Sequence, residues 1–305
     1  MPADEFAMPA DGHPTPTGRV DAAAAGTWRL GGHTVRRLGF GSMRLTVDPD
    51  PAPALRVLRR AVELGVNHID TAAFYVSPGG TLGVGAGSRR YAVDLIRKAL
   101  WPYPEELLIA TKVGPGEQGW ARGAAQLRAQ VEENLRRLGR DHLDLVNLRL
   151  RGPGHGSCAE EYAALAALRE QGLIRHLGLS AATPAHLDEA QRIAPVVCVQ
   201  SSWGVDYRRG QDLLVRTCGE RGIAFVPFFS LAGEAREQGA GAETNAAVQR
   251  VAAAHGASTH QVRLAWALHQ GPHVLVIPGT GSVAHLTDNV AAAGLRLSPD
   301  ELATL

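Results

Sequence analysis

Along most of this chain a short apolar run gives way to a segment whose apolar residues recur every three to four positions, and the pair repeats eight times. Ala54, Leu55, Val57, Leu58, Ala61, Val62 and Leu64 keep the spacing of one helix face and stop at Gly65. The strand that follows ends at Asp70. Further strands are expected at 107–111, 143–148, 175–179, 196–199, 224–227 and 274–277. Helices are expected between them: Tyr91–Leu100, Ala124–Leu138, Ala159–Gln171, Thr183 to about Ile193, Gln211–Arg221, Asn245–His255 and Thr259–His269. Thr183-Pro184 supplies an N-cap and a first-turn proline, Ser282 starts one more helix, and Ser298-Pro299-Asp300-Glu301 reads as a capping box.

Strands this short, rich in Val, Ile and Leu, suit a parallel sheet covered on both faces. Eight such units in about 280 residues predict an α/β fold: one (β/α)8 barrel of the TIM type. Thr27 to Leu30 and His33 to Arg37 flank Gly31-Gly32, so a β-hairpin is expected to close the barrel's bottom. An open doubly wound sheet needs a glycine-rich turn after its first strand, which Gly39-Phe40-Gly41-Ser42 matches poorly. Residues 1–25, rich in Ala, Pro and Asp, read as a flexible tail, and 26–305 as the single barrel domain.

The totals exclude several classes of function. Of 305 residues 45% are hydrophobic, ample for a core, and the net charge is +1, which draws the chain to neither nucleic acid nor an anionic membrane. No apolar stretch approaches the roughly 20 residues of a membrane span. The start lacks a basic and apolar leader, which makes the cytoplasm the expected compartment. Twelve histidines include no metal-binding pair on a helix, so no metal site is expected. Cys158, Cys198 and Cys218 are scattered and odd in number, as reduced structural thiols are.

In a barrel of this kind chemistry sits at the carboxyl ends of the strands. The polar residues at those ends are Asp70, followed by Tyr75, then Lys112, Arg149, Ser180 and Gln200. A lone tyrosine, with a pKa of about 10, is a poor proton donor at neutral pH. A neighbouring ammonium is expected to lower that pKa, and a carboxylate to hold the ammonium in place. Tyr75, Lys112 and Asp70 fit those three roles.

Asp70-Thr-Ala-x-x-Tyr75, Ile109-Ala-Thr-Lys112, Asp144-Leu145, Gly178-Leu179-Ser180 and Ile277-Pro278-Gly279-Thr280 resemble the aldo-keto reductases in order and spacing, from about Leu30 onward. The resemblance implies one barrel that binds a nicotinamide dinucleotide, NADPH, in extended form. It also implies hydride transfer from nicotinamide C4 to the carbonyl carbon of a small molecule, an aldehyde, a ketone or an imine analogue. In that scheme Tyr75 protonates the oxygen, Lys112 tunes Tyr75 and Asp70 holds Lys112. The resemblance places Ser180 and Gln200 at the carboxamide and Phe228 against the nicotinamide ring. It further implies cofactor contacts from Gly41, Ser42, Met43, Phe229, Ser230, Leu231, Pro278, Gly279, Thr280, Gly281, Ser282, His285, Asp288 and Asn289. Phe74 and Trp203 fall where substrate would bind, although Trp203 equally suits packing beneath its loop with Tyr207.

The chain departs from the family pattern at three places. The strand Asp144-Leu-Val-Asn-Leu-Arg149 carries arginine where the family usually has histidine. Arginine cannot exchange a proton near neutrality, but its fixed donors can hold a carbonyl oxygen or developing alkoxide. Around Gly279 to Ser282 only His285 offers a cation for a 2′-phosphate, which leaves the Thr280 and Ser282 hydroxyls and a helix N-terminus. The chain stops at Leu305, without the closing loop of many relatives, and the glycine-rich stretch Ser77 to Ser88 is expected to act as a lid. His155 either replaces the missing histidine or decorates a loop. The competing functions are a cofactor-sensing regulatory subunit and a barrel lyase or isomerase.

Overall fold

The computed structural model describes residues 20–80, 83–116, 119–208, 210–228, 230–231 and 245–305. The chain opens with an antiparallel hairpin of β1 (Thr27–Leu30) and β2 (His33–Arg36). β3 (Phe40–Gly41) and β4 (His68–Asp70) then begin the main sheet, separated by helix α1 (Ala52–Glu63). A two-rung ribbon of β5 (Val76–Ser77) and β6 (Arg90–Tyr91) brackets the glycine-rich stretch before α2 (Ala92–Leu100). β7 (Leu108–Val113) is followed by a second small ribbon, β8 (Pro115–Gly116) with β9 (Gly119–Trp120), and by α3 (Gly123–Leu138).

The alternation then runs without ornament: β10 (Leu143–Arg149), α4 (Ala159–Glu170), β11 (Ile174–Ser180), α5 (Pro184–Gln191), β12 (Val196–Ser202), α6 (Asp212–Glu220) and β13 (Ala224–Phe228). Helices α7 (Ala246–His255), α8 (Thr259–His269), α9 (Val283–Ala291) and α10 (Pro299–Thr304) complete it.

Seven strands lie parallel in the order β3-β4-β7-β10-β11-β12-β13. The eighth expected strand, 274–277, narrows to single parallel bridges, Phe225 to Val274 on one side and Val276 to Leu38 on the other. Hydrogen bonds from Leu275 N to Phe225 O and from Val276 N to Arg37 O, both 2.9 Å, join the two ends of the sheet and close the ring. The chain is therefore a (β/α)8 barrel in which one strand contributes little ladder.

Two apolar layers hold it. A continuous cluster fills the space between strands and helices. A smaller one lies inside the barrel, where Leu108, Ala110, Leu145, Cys198, Ala224, Val226 and Leu275 meet Leu30 and Val35 of the hairpin. The hairpin thus plugs the bottom, and Trp28 meets His273 edge-on at 6.3 Å there. Gly31 turns at φ +61°, and a Cβ on it would collide with the His176 ring at 2.5 Å. The expected caps form: Thr183 and Ser298 both make capping boxes, with His186 and Glu301 as partners, and Ser282 caps α9.

One boundary differs from the sequence reading. Of the stretch expected to be a tail, residues 1–19 lie outside the described residues, while Ala22–Ala25 form a 3-10 turn with Ala22 and Ala25 buried. Asp21 caps it by accepting from Ala23 N at 2.8 Å, and Ala22 N donates to Leu64 O at 2.9 Å. Alanines carry no periodic signal, and long-range contacts order them.

Candidate active site

Asp70, Lys112, Arg149, Ser180, Gln200 and Phe228 stand at or near the carboxyl ends of β4, β7, β10, β11, β12 and β13, and all face one cavity of about 440 Å³. Register aligns three of them, Arg149 beside Ser180 and Ser180 beside Gln200. The strands are largely buried along their length, which fixes their register, and the polar side chains at their carboxyl ends are the ones that reach the cavity, whereas His68, Asp144 and His176 nearer the strand starts do not line it.

Lys112 and Asp70, each only 4% exposed, form the centre. The ammonium lies 2.6 Å from both carboxylate oxygens and donates to Thr71 O at 3.1 Å. Gln200 Nε2 donates to Asp70 Oδ1 at 2.7 Å. The remaining side of the ammonium faces Tyr75, whose ring centroid is 4.9 Å away. Burial works against the charge on Lys112, yet Asp70 and Tyr75 outweigh it and hold its pKa above the ordinary lysine value.

Tyr75 departs from the expectation of a lowered pKa. Desolvation raises it, Lys112 and Arg149 pull it down, Asp70 pushes it up, and the net direction is upward. The lysine's charge is largely taken up by Asp70, so it cannot offset the loss of water around the phenol. Tyr75 is therefore held as the neutral phenol, the form a proton donor needs.

Arg149 Nη1 donates to Ser180 Oγ at 3.3 Å, and its Cζ lies 5.2 Å from the centroid of Phe228. Burial lowers its pKa and Tyr75 acts in the other direction. Among the described residues no carboxylate makes an ion pair with it. Phe74 lines the cavity and meets the Tyr75 ring edge-on at 5.3 Å.

The cavity extends away from Tyr75 along Gly41, Met43, Ser230, Leu231, Pro278, Gly279, Thr280, His285, Asp288 and Asn289. The two glycines permit a close approach of chain segments. A Cβ at Gly41 would lie 2.7 Å from Ile277 O, and one at Gly279 would lie 2.5 Å from Gly41 O. Gln200 Oε1 is buried without a partner and Ser180 is wholly buried beside it, an arrangement suited to an amide group. These features fit an extended dinucleotide. Ser42, Gly281 and Ser282 do not line the cavity. Ser42 is wholly buried, Gly281 is exposed, and the Ser282 hydroxyl accepts from His285 N at the start of α9. Phe229 lies outside the described residues.

Trp203 requires a correction. It is 2% exposed, donates its indole N–H to Asp212 Oδ1 at 2.9 Å and packs on Phe225 and Trp266, away from the cavity. The partner for its N–H draws it beneath the surface. His155 also stays out of the cavity, edge-on to His186 at 6.0 Å and 3.7 Å from Glu161. None of the described residues in the glycine-rich stretch 77–88 lines the cavity. Arg90 anchors its base through the carbonyls of Thr46, Ala86 and Ser88. Arg44, His260 and Ile277 also line the cavity, and none of the three is among the site residues the motifs mark. Ile277 follows from strand alternation, whereas Arg44 and His260 sit on a 3-10 turn and a helix start that only the closed barrel brings to the rim.

All three cysteines are buried, with thiols pushed up by desolvation, to about 12 for Cys158 and Cys218. Among the described residues no group of three His, Cys, Asp or Glu side chains forms a metal site, and no helix is long and apolar enough to cross a membrane.

The family model described as Aldo/keto reductase family matches residues 37–305. Pyridoxine 4-dehydrogenase of Escherichia coli (strain K12) is 41% identical over 298 residues, which span 92% of this chain and 98% of that protein. An uncharacterized oxidoreductase of Schizosaccharomyces pombe is 36% identical over 297 residues, spanning 94% and 90%. Among solved structures, an aldo/keto reductase from Klebsiella pneumoniae in complex with NADP and acetate has a TM-score of 0.75 at 27% identity, covering 91% of this chain and 93% of that one.

Proposed function

The chain belongs to the aldo/keto reductase family of oxidoreductases, and on that premise we propose that it is an NADPH-dependent reductase of small-molecule carbonyl compounds, with Tyr75 as its general acid. The observation that carries the reading is the buried contact of Asp70, Lys112 and Tyr75 at one rim of the barrel. NADPH, when bound, supplies the hydride. Ser180 and Gln200 would hold its carboxamide, Phe228 would offer a face to its ring, and the walls from Ser230 to Asn289 would take the rest.

The chain's own residues manage the oxygen. As negative charge grows on the carbonyl oxygen, the Tyr75 phenol passes its proton to it. The Lys112 ammonium stabilises the phenolate left behind, and Asp70 keeps that ammonium charged and in place. Arg149 aims fixed donors at the same oxygen, an oxyanion-hole contribution that needs no proton transfer. The carbonyl most worth testing first is pyridoxal, with pyridoxine as the reverse substrate, because the Escherichia coli relative of that name is similar over almost its whole length.

Replacing Tyr75 by Phe removes the proton and little else. Turnover is expected to fall by about 10²–10⁴-fold, with NADPH affinity by fluorescence titration nearly unchanged. Turnover that survives in this variant refutes the mechanism. The direction of the Tyr75 shift adds a pH test. Reduction needs the phenol, so its rate should hold through neutrality and fall only above the ordinary tyrosine range, whereas oxidation of the alcohol should rise over that same range.

A further inference from the structure

Arg149 is mostly buried, and among the described residues it has no carboxylate partner. A buried guanidinium without a counter-charge is costly, and sites that contain one commonly receive the missing charge with the ligand. The neighbouring cation cannot share that ligand charge, because Lys112 already holds both oxygens of Asp70 and the carbonyl of Thr71. Among the described residues the guanidinium meets the Ser180 hydroxyl, the Phe228 ring and, electrostatically, the Tyr75 phenol, which are neutral groups. In the reading above Ser180 and Phe228 serve the nicotinamide, so a bound cofactor competes for them and leaves the fork of donors to the substrate.

With the Phe228 face given to the nicotinamide, the aromatic side chains left to line the cavity for a substrate are Phe74 and Tyr75, edge-on to each other at 5.3 Å. Aromatic walls of this kind favour an aromatic ring as the body of the substrate. A guanidinium presents parallel N–H donors that match two oxygens held side by side in one plane.

We propose that Arg149 selects aromatic aldehydes bearing an ionisable oxygen on the ring carbon next to the aldehyde, binding that oxygen and the carbonyl oxygen together. The proposal rests on the reductase reading and narrows its substrate class. Pyridoxal belongs to this class, since its ring oxygen adjoins its 4-aldehyde. In the reaction the carbonyl carbon gains hydride, the C=O electron pair moves to oxygen, and the Tyr75 proton completes the alcohol. The neighbouring oxygen stays on Arg149 throughout and is neither oxidised nor reduced.

Two measurements separate this proposal from the reading beneath it. The first compares kcat/KM for 2-hydroxybenzaldehyde, 4-hydroxybenzaldehyde and phenylglyoxylate with NADPH. The wild-type protein is expected to favour the 2-hydroxy isomer by about tenfold or more over both others. That preference should vanish in Arg149→Met and return in part in Arg149→Lys, which keeps the charge but not the fork. The second uses no turnover: 2-hydroxybenzaldehyde is titrated into NADP-loaded protein and its phenolate absorbance followed against pH. An adjacent cation should lower the ligand's phenol pKa by about one unit, a tenfold change in ionisation, in wild type but not in Arg149→Met.

Reduction of the aldehydes without the 2-hydroxy preference, or a phenolate signal that survives in Arg149→Met, overturns the proposal and leaves the reductase reading standing. Preference for phenylglyoxylate overturns it in favour of a carboxylate-bearing substrate. An Arg149-dependent phenolate signal without reduction of any aldehyde supports the contact and refutes the reductase reading instead. Should Arg149→Met fail to fold, Arg149→Gln takes its place in both measurements.

Discussion

The two ends of the barrel interior are filled by opposite means. At the bottom, the hairpin drives Leu30 and Val35 into hydrocarbon, and burial keeps the imidazoles of that end neutral: it pushes the pKa of His68 down to about 4 and lowers those of His176 and His273 as well. At the top, Lys112 and Asp70 are as deeply buried but keep their charges, and Arg149 joins them without an acidic partner. The bottom solves a packing problem and the top holds charges in readiness for chemistry. Stability should therefore depend on apolar fit at one end and on charge balance at the other.

Breaking the charge balance has the largest expected effect on folding. Lys112→Met leaves the Asp70 carboxylate buried with Gln200 as its one side-chain donor among the described residues, and removing one partner of such a pair costs about 3–5 kcal/mol. Urea unfolding should show this loss, and turnover should fall with it. The double variant Asp70→Asn/Lys112→Met removes both charges and should recover most of the stability but none of the activity. Recovery of both would mean that the pair is structural and that the contrast between the two ends is false.

The second test concerns the bottom and pH. In the native protein His68 binds its proton only near pH 4, against 6.5 for a free histidine, so the unfolded chain binds the proton more readily between those values. A group whose folded pKa is depressed gives full stability above its unfolded pKa, and that stability drains away as pH falls through the folded one. The expected loss is about 3 kcal/mol between pH 6.5 and 4. A His68→Phe variant should make the urea midpoint fall less steeply across this window, leaving the smaller contributions of His155, His176 and His273, whose pKa values burial also lowers. An unchanged slope would show that the imidazole is not held neutral, and that the bottom carries charge as the top does.

Much of this contrast is legible in the order of residues. A run such as Leu108–Val113, buried at every position, has one lysine near its end, and a charged residue there has few places to point except the cavity. The same logic locates Asp70, Arg149, Ser180 and Gln200. It fails where position depends on distant partners. Trp203 follows Gln200 by three residues, but Asp212 and Trp266 decide which way its ring faces. The upward shift of Tyr75 is a sum of opposing effects from burial, Lys112, Asp70 and Arg149, and no local pattern encodes its sign. Ala22–Ala25 is ordered by Leu64, and the segment 274–276 closes the barrel with single bridges that hydrophobicity alone does not distinguish from a full strand.

The smallest effect tests whether the top end also carries cost in its backbone. Ala181, next to Ser180, has φ +57°, the left-handed region that side chains other than glycine rarely adopt, and its N–H donates to Gln200 O at 2.7 Å. This turn joins the ends of β11 and β12, so the strain is coupled to the two residues that face the cofactor pocket. Glycine at 181 would relieve about 1 kcal/mol of strain and return about 0.4–1 kcal/mol by loosening the unfolded chain. Ala181→Gly should therefore be neutral or slightly more stable, by less than about 1 kcal/mol, with the Gln200 contact kept because no side chain takes part in it. Differential unfolding at neutral pH, read beside NADPH affinity, decides the point. A clear loss of stability would show that alanine rests comfortably in this conformation, and the cost of the upper end would then lie in its charges alone.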